Sequence, residues 1–380
     1  MARNREIGRY SGSSLIIARD GEVAHSCCDG MARVDEGMAY APDTITRIYS
    51  MTKMVTSAAF AMLLERGLVH LNAPVSAFLP EFSDMCALVP GAASPEETEP
   101  AAAPTLAQLL THTSGMTYSF NPGLAARIYE AERVDFGPRT GGLAANCARA
   151  ARVPLAFQPG ARWEYSVGID IIGRVIEVIA GKPLDAVLQE WIFDPLGMGD
   201  TGFHVPLDKL DRFAHCYNLT EDNPLALLDS ARQSAFAEGQ VSTLSGGGGL
   251  VSTLGDYLKF GEMIRRGGEY GGARLLAPRT VAFMRRNHLS GDIASMGAES
   301  FAEMPMTGMG FGIGGAVVLD PARSRSPGSI GDFGWGGMAS TNFWTDPVER
   351  LSVVYFTQLV PSSSYSSRAE LKALVHAALA

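Results

Sequence analysis

Ser50-Met51-Thr52-Lys53 sets a hydroxyl and an amine three residues apart. If this segment opens a helix, the side chains at i and i+3 share a face and Lys53 reaches Ser50. The N-terminal end of a helix also favours negative charge, so an alkoxide forming on Ser50 would be stabilised there. Lys53 is the one charged residue between Ile48 and Leu64, and an ammonium buried in such a run needs partners or a lowered pKa. The competing explanation is a surface lysine that lays its stem on apolar neighbours and keeps its head in water.

Two further segments carry chemistry. Tyr165-Ser166-Val167 follows Pro159-Gly160 and Trp163 and precedes an apolar helical stretch. A Lys53 cation nearby would favour the phenolate of Tyr165, which could take the Ser50 proton and return it to a leaving alcohol. A tyrosine in this position is otherwise a packed aromatic. Trp335-Gly336-Gly337-Met338 reads as part of a C-terminal strand, where two glycines weaken pairing unless a backbone or ligand must come close. The Met338 N–H, together with that of Ser50, could then form an oxyanion hole. A bulge in the sheet is the structural alternative.

The elements that must hold these residues are legible in outline. Ser14 to Arg19 and Glu22 to Ser26 read as strands around the turn Asp20-Gly21. Met51 to Arg66 reads as a helix ended by Gly67, and Ile169 to Ala180 as a second one stopped by Gly181 and Pro183. Val89 to Pro104 reads as an exposed loop, after which Leu106 to Leu110 resumes a helical run. The glycine run Gly246 to Gly249 precedes a helix around Asp256 to Ile264. Phe333 to Trp344 and Leu351 to Gln358 read as strands, and Ser367 to Leu379 as a closing helix. Strands at both chain ends with helical sequence between them give an α/β fold: residues 1–75 and 245–380 form an α/β lobe, and 76–244 a mainly helical one.

Composition narrows the function. With 46% hydrophobic and 19% charged residues, the 380-residue chain can bury a large core without metal or disulfide. A net charge of -9 with scattered arginines argues against nucleic-acid binding. Met1 to Arg9 lacks the apolar core of an export signal, and no stretch is long and apolar enough for a membrane span. Five cysteines (Cys27, Cys28, Cys86, Cys147, Cys216) without C-x-x-C spacing suit a reducing, cytoplasmic setting. Seven histidines show no zinc-ligand spacing, so neither metal nor cofactor is expected.

In the order S-x-x-K, Y-S-x, W-G-G, the three segments resemble the family VIII carboxylesterases, which look like class C β-lactamases. The resemblance spans nearly the whole chain. It includes Leu109-Leu110-Thr111-His112-Thr113-Ser114-Gly115, Pro195-Leu196-Gly197-Met198-Gly199-Asp200-Thr201-Gly202-Phe203 and the glycines from Gly246. It implies a β-lactamase/transpeptidase-like fold, an antiparallel sheet flanked by helices with an inserted, mainly helical lobe. It further implies Ser50 as nucleophile, Lys53 and Tyr165 as base and acid, and Trp335, Gly336, Gly337 and Val167 along the substrate wall, with His112 as framework. The implied substrate is a small ester with a short acyl chain, and some members also open β-lactam rings.

The sequence departs from the β-lactamase pattern at two positions. Trp335 stands where those enzymes carry the lysine of K-T-G, which removes a cation for a β-lactam carboxylate. Val167 replaces the asparagine of Y-x-N, which removes an amide. The short N-terminus further implies that the leading helix of relatives is short or missing. Competing functions with the same machinery are a β-lactamase, a D-amino-acid peptidase and an acyltransferase. A non-catalytic ligand-binding protein is the rival of another class. A Ser-His-Asp hydrolase lacks its G-x-S-x-G elbow.

Overall fold

The computed structural model describes residues 1–379. Strand β1 (Gly12–Arg19) turns at Asp20-Gly21 into β2 (Glu22–Arg33). Both turn residues have positive φ, 56° and 92°, as a tight two-residue hairpin requires. The strands run further than alternation suggests, because β2 continues past Ser26 to pair with the short β3 (Met38–Ala39). Five strands come from the other end of the chain: β4 (Met309–Phe311), β5 (Ala316–Val318), β6 (Phe333–Gly336), β7 (Asn342–Asp346) and β8 (Leu351–Phe356). The sheet order is β4-β5-β6-β7-β8-β1-β2-β3, antiparallel throughout. The two chain ends meet in the register Ser14 opposite Phe356 to Arg19 opposite Leu351. All six residues of β8 are buried, as expected of a strand covered on both faces.

Four helices matter for the site: α1 (Thr52–Glu65), α2 (Gly168–Ala180), α3 (Leu254–Arg265) and α4 (Ser367–Ala377). α4 covers one face of the sheet, with Val375 packed among Leu15, Trp344, Leu351, Val353 and Tyr355. α3 covers the other, and Gly261 lets the Phe343 ring sit where a Cβ would be. α1 is buried from Thr52 to Leu63 and packs against α2. It ends at Gly67 with φ 68°, and α2 ends at Gly181 in the left-handed conformation.

Two sequence expectations need correction. Val89 to Pro104 is not all loop, because Thr98–Ala101 pairs with Met85–Leu88; Pro100 is tolerable there because a proline can sit on an edge strand. Phe333 to Trp344 is two strands joined by a turn, which the Gly337 N–H closes by donating to the Thr341 carbonyl at 3.0 Å. Gly337 and Met338 therefore lie just past the end of β6 and not on it. The leading helix is short, as expected: five residues, Ala2–Glu6.

Candidate active site

Ser50 sits at the centre of a single 3₁₀ turn, Tyr49–Met51, that runs into α1. Tyr49 has φ 42°, a left-handed conformation that costs a side-chain-bearing residue about 1–3 kcal/mol and persists only where its surroundings hold it. The hold is visible. The Ile48 N–H donates to Leu250 O at 3.1 Å, the Tyr257 hydroxyl to Met51 O at 2.9 Å, and the Tyr49 ring packs edge-on against Phe236.

Lys53 is wholly buried one turn on. Its Nζ donates to the Gly247 carbonyl at 2.7 Å, to the Tyr118 hydroxyl at 2.9 Å and, longer, to Ser50 Oγ at 3.4 Å. A buried ammonium without such acceptors would be prohibitive. Asp170 on α2 completes the local charge balance. It accepts from the Ser245 hydroxyl at 2.5 Å, the Gly247 N–H at 2.9 Å and the Tyr118 hydroxyl at 3.5 Å. Burial pushes its carboxyl above the ordinary range, and the Lys53 cation and these donors pull it back. Burial keeps the Tyr118 phenol protonated far above 10, and the nearby Asp170 carboxylate adds to this.

Tyr165 stands against the same amine from another side. Lys53 Nζ lies 4.6 Å from the centroid of its ring, and its hydroxyl accepts from the Trp335 indole N–H at 3.2 Å. The phenol that hydrogen-bonds Lys53 is thus Tyr118, while Tyr165 meets the cation through its π face. His112 supports the Tyr165 ring, 4.7 Å away, and its Nδ1 accepts from the Ser166 N–H at 3.2 Å. Burial, then the Lys53 cation, hold His112 well below 6.5. It is a neutral, fixed ring.

The glycines after Trp335 are both used. Any Cβ on Gly337 would collide with the Ile48 carbonyl oxygen, so only glycine lets the end of β6 lie against the Ser50 turn. A Cβ on Gly336 would lie 2.5 Å from the guanidinium carbon of Arg368. Beside the turn opens a cavity of about 870 Å³, lined among others by Ser50, Tyr118, Val167, Phe301, Trp335 and Met338. Phe301, on the hairpin of Ser300–Phe301 and Met304–Pro305, stacks on Trp335 at 5.5 Å.

A model of the Beta-lactamase family matches residues 2–377. The chain belongs to the beta-lactamase family. Esterase EstB of Burkholderia gladioli is 32% identical over 365 residues, 92% of this chain and 86% of that protein. A monacolin J acid methylbutanoyltransferase of Aspergillus terreus is 30% identical over 371 residues, 92% of this chain and 86% of that protein. Among solved structures, EstCE1, described as a hydrolase with promiscuous acyltransferase activity, superposes with a TM-score of 0.81 at 28% identity, covering 98% of this chain and 94% of that one. The expected β-lactamase/transpeptidase-like architecture is therefore the observed one, and this beta-lactamase-family chain is a serine hydrolase of that fold.

In this beta-lactamase-family site, Ser50, Lys53, Tyr165, Trp335, Gly337 and Met338 converge from three distant stretches, and Val167 lines the cavity as the residue before α2. Sequence reasoning missed Tyr118, Asp170 and the Gly247 carbonyl. Asp170 left a signal, a lone carboxylate between Ile169 and Ile171 on an apolar helix face, which must be partnered if buried. Tyr118 left none, because it reaches Lys53 from a loop with no fixed spacing to either neighbour.

Proposed function

We propose that the chain is a serine carboxylesterase that hydrolyses short-chain acyl esters through an acyl-enzyme on Ser50. Ser50 Oγ attacks the ester carbonyl carbon while its proton passes to the Lys53/Tyr165 base and acid pair. The oxyanion is stabilised by the N–H groups of Ser50 and Met338. As the tetrahedral adduct collapses, the C–O bond to the alcohol breaks and the pair returns the proton to the alkoxide oxygen. Water then repeats the sequence on the acyl-enzyme and releases the acid and free Ser50.

The observation that carries this reading is the wholly buried Lys53 amine 3.4 Å from Ser50 Oγ. A surface lysine would explain neither its burial nor its three acceptors. Trp335 supports an uncharged substrate: it offers Tyr165 one neutral hydrogen bond where β-lactamases carry an ammonium, and its ring adds apolar wall. In this reading residues 1–75 and 245–380 form the α/β lobe and 76–244 the mainly helical one. The protein works in the cytoplasm, where its five free cysteines stay reduced. No helix among the described residues is long and apolar enough to cross a membrane.

A second reading is transfer of the acyl group to an alcohol other than water. It is supported by the size of the cavity, which has room for an acceptor beside the acyl group, and by the names of the transferase relatives. One experiment tests both readings. The protein is labelled with a fluorophosphonate and assayed on p-nitrophenyl butyrate with and without added butanol. Labelling at Ser50 and turnover abolished by Ser50→Ala are expected, and butyl butyrate forms only if transfer competes. A folded protein that is neither labelled nor active on the ester refutes the proposal.

A further inference from the structure

Arg368, the second residue of α4, is 11% exposed, and its guanidinium fills the space that Gly336 leaves empty. Nη2 donates to the Gly337 carbonyl at 2.8 Å and to the Thr341 carbonyl at 3.3 Å. Nη1 donates to Glu303 Oε2 at 3.2 Å, and Glu303 is 5% exposed at the tip of the hairpin that carries Phe301. Neither Nε of Arg368 nor Oε1 of Glu303 has a hydrogen-bond partner among the described residues. A buried ion pair with open valences is poor value as stabilisation, since well-packed apolar residues generally do as well.

What the pair does hold is one peptide. In a trans peptide the C=O and the following N–H point in opposite directions. The Gly337 carbonyl is committed to Arg368, so the Met338 N–H is turned to the side away from α4. That N–H has no acceptor among the described residues. Gly337 itself touches Arg368 on one side and, through the Ile48 carbonyl, the Ser50 turn on the other. The Gly337 N–H is tied as well, to Thr341 O, so neither flanking peptide can rotate freely. A full positive charge on the carbonyl also polarises the amide and strengthens its N–H as a donor.

We propose that Arg368 is a positioning residue of the oxyanion hole: by holding the Gly337 carbonyl it aims the Met338 N–H at the carbonyl oxygen of an acyl group on Ser50, with Glu303 steadying the guanidinium. This rests on the reading of Ser50 as nucleophile. It also links the hairpin over the cleft to the catalytic amide, because Phe301 and Glu303 are carried on the same turn.

The test replaces Arg368 by Met, which keeps an unbranched, apolar stem, and by Lys, which keeps the charge. Turnover of p-nitrophenyl butyrate is normalised to Ser50 sites titrated with a fluorophosphonate, so misfolded protein does not count. The carbonyl stretch of the trapped acyl-enzyme is read by difference infrared spectroscopy. For Arg368→Met the expected result is a kcat lower by about 10- to 100-fold, a KM within about threefold, and a carbonyl band moved to higher frequency, with partial recovery of both in Arg368→Lys. Wild-type kcat per titrated site with an unmoved band overturns the assignment while leaving the esterase reading intact. Absence of acylation at Ser50 in the wild type overturns both. If Arg368→Met does not fold, Glu303→Gln carries the test: a smaller loss of kcat with a shifted band supports the proposal, and an unchanged kcat and band overturn it.

Discussion

Gly337→Ala isolates the approach of β6 to the nucleophile turn. Gly337 does not have positive φ, so alanine adds no backbone strain and the effect is purely steric. The new methyl would sit about 1 Å inside ordinary contact with the Ile48 carbonyl oxygen and would press on the buried Thr341 hydroxyl as well. The hydroxyl can rotate, but the Ile48 carbonyl cannot, because the 3₁₀ turn behind it is fixed by hydrogen bonds to Leu250 and from Tyr257. The end of β6 must therefore withdraw by roughly that ångström, and the Met338 N–H withdraws with it. Misplacement on this scale costs about 10²-fold in rate, comparable with loss of an oxyanion donor. The sheet is anchored by β7 and β8, so the melting temperature should fall by only a few degrees. The assay is kcat on p-nitrophenyl butyrate per titrated Ser50, with thermal melting alongside. A folded Gly337→Ala protein within about threefold of wild-type kcat would mean that the contact is incidental packing.

Lys53→Ala and Tyr165→Phe should each lower kcat by about 10²- to 10⁴-fold in a protein that still melts cooperatively, and wild-type turnover in either would remove that residue from the proton path. Tyr118→Phe deletes a hydroxyl that accepts from Lys53 at 2.9 Å; a loss of about tenfold in kcat is expected, and an unchanged rate would show the hydrogen bond to be dispensable. Asp332 governs a pH dependence of stability. Burial, opposed by its ion pair with Lys372, pushes its carboxyl up from 3.8 to about 6, so the native state holds the extra proton between those values and loses about 3 kcal/mol of stability as pH rises through them. Urea titrations from pH 4 to 7 should show that Asp332→Asn is less destabilised than wild type over this rise, whatever its offset, and parallel curves would contradict the assignment.

Much of the sheet was legible because its strands announce themselves locally: Asp20-Gly21 between alternating residues, and the apolar run of β8, need no long-range information. The turn after β6 was not, since Gly336-Gly337 and Ser340-Thr341-Asn342 lie inside a run that begins and ends in aromatic residues, and the pairing of Gly336 with Asn342 is what fixes where the chain reverses. The same division holds at the site. Ser50 and Lys53 are three residues apart, and the helix rule connects them. Which phenol Lys53 binds depends on how a loop and the entry to α2 pack around it, and the sequence favours Tyr165 because it precedes a recognisable helix. The structure puts the Tyr118 hydroxyl on the amine and the Tyr165 ring beside it. The glycine run looked like a flexible turn, yet a Cβ at Gly247 would collide with Asp170, and its carbonyl is the shortest of the three Lys53 contacts. Burial of that backbone, invisible in composition, is what gives the segment its role.

Substrate charge can be argued further than substrate identity. Asp135, Asp170, Asp229 and Asp332 line the cavity, against Arg368 and Lys372. Both cations are already engaged, Arg368 with Glu303 and the Gly337 carbonyl, Lys372 with Asp332 at 2.6 Å. Lys53 is committed to Gly247, Tyr118 and Ser50. A substrate carboxylate would leave water for a wall of indole, phenyl and aliphatic carbon without meeting an uncommitted positive charge, and the surrounding carboxylates would oppose it. A neutral ester pays neither cost. The dibutyl ester of a four-carbon diacid should therefore be cleaved with a kcat/KM at least about tenfold above that of its monobutyl half-ester, which bears a free carboxylate, because even one unpaired charge brought partly out of water costs more than 1.4 kcal/mol. Equal values for the two esters would mean that one of these cations releases its partner to receive the substrate, and Arg368 would be the first to examine.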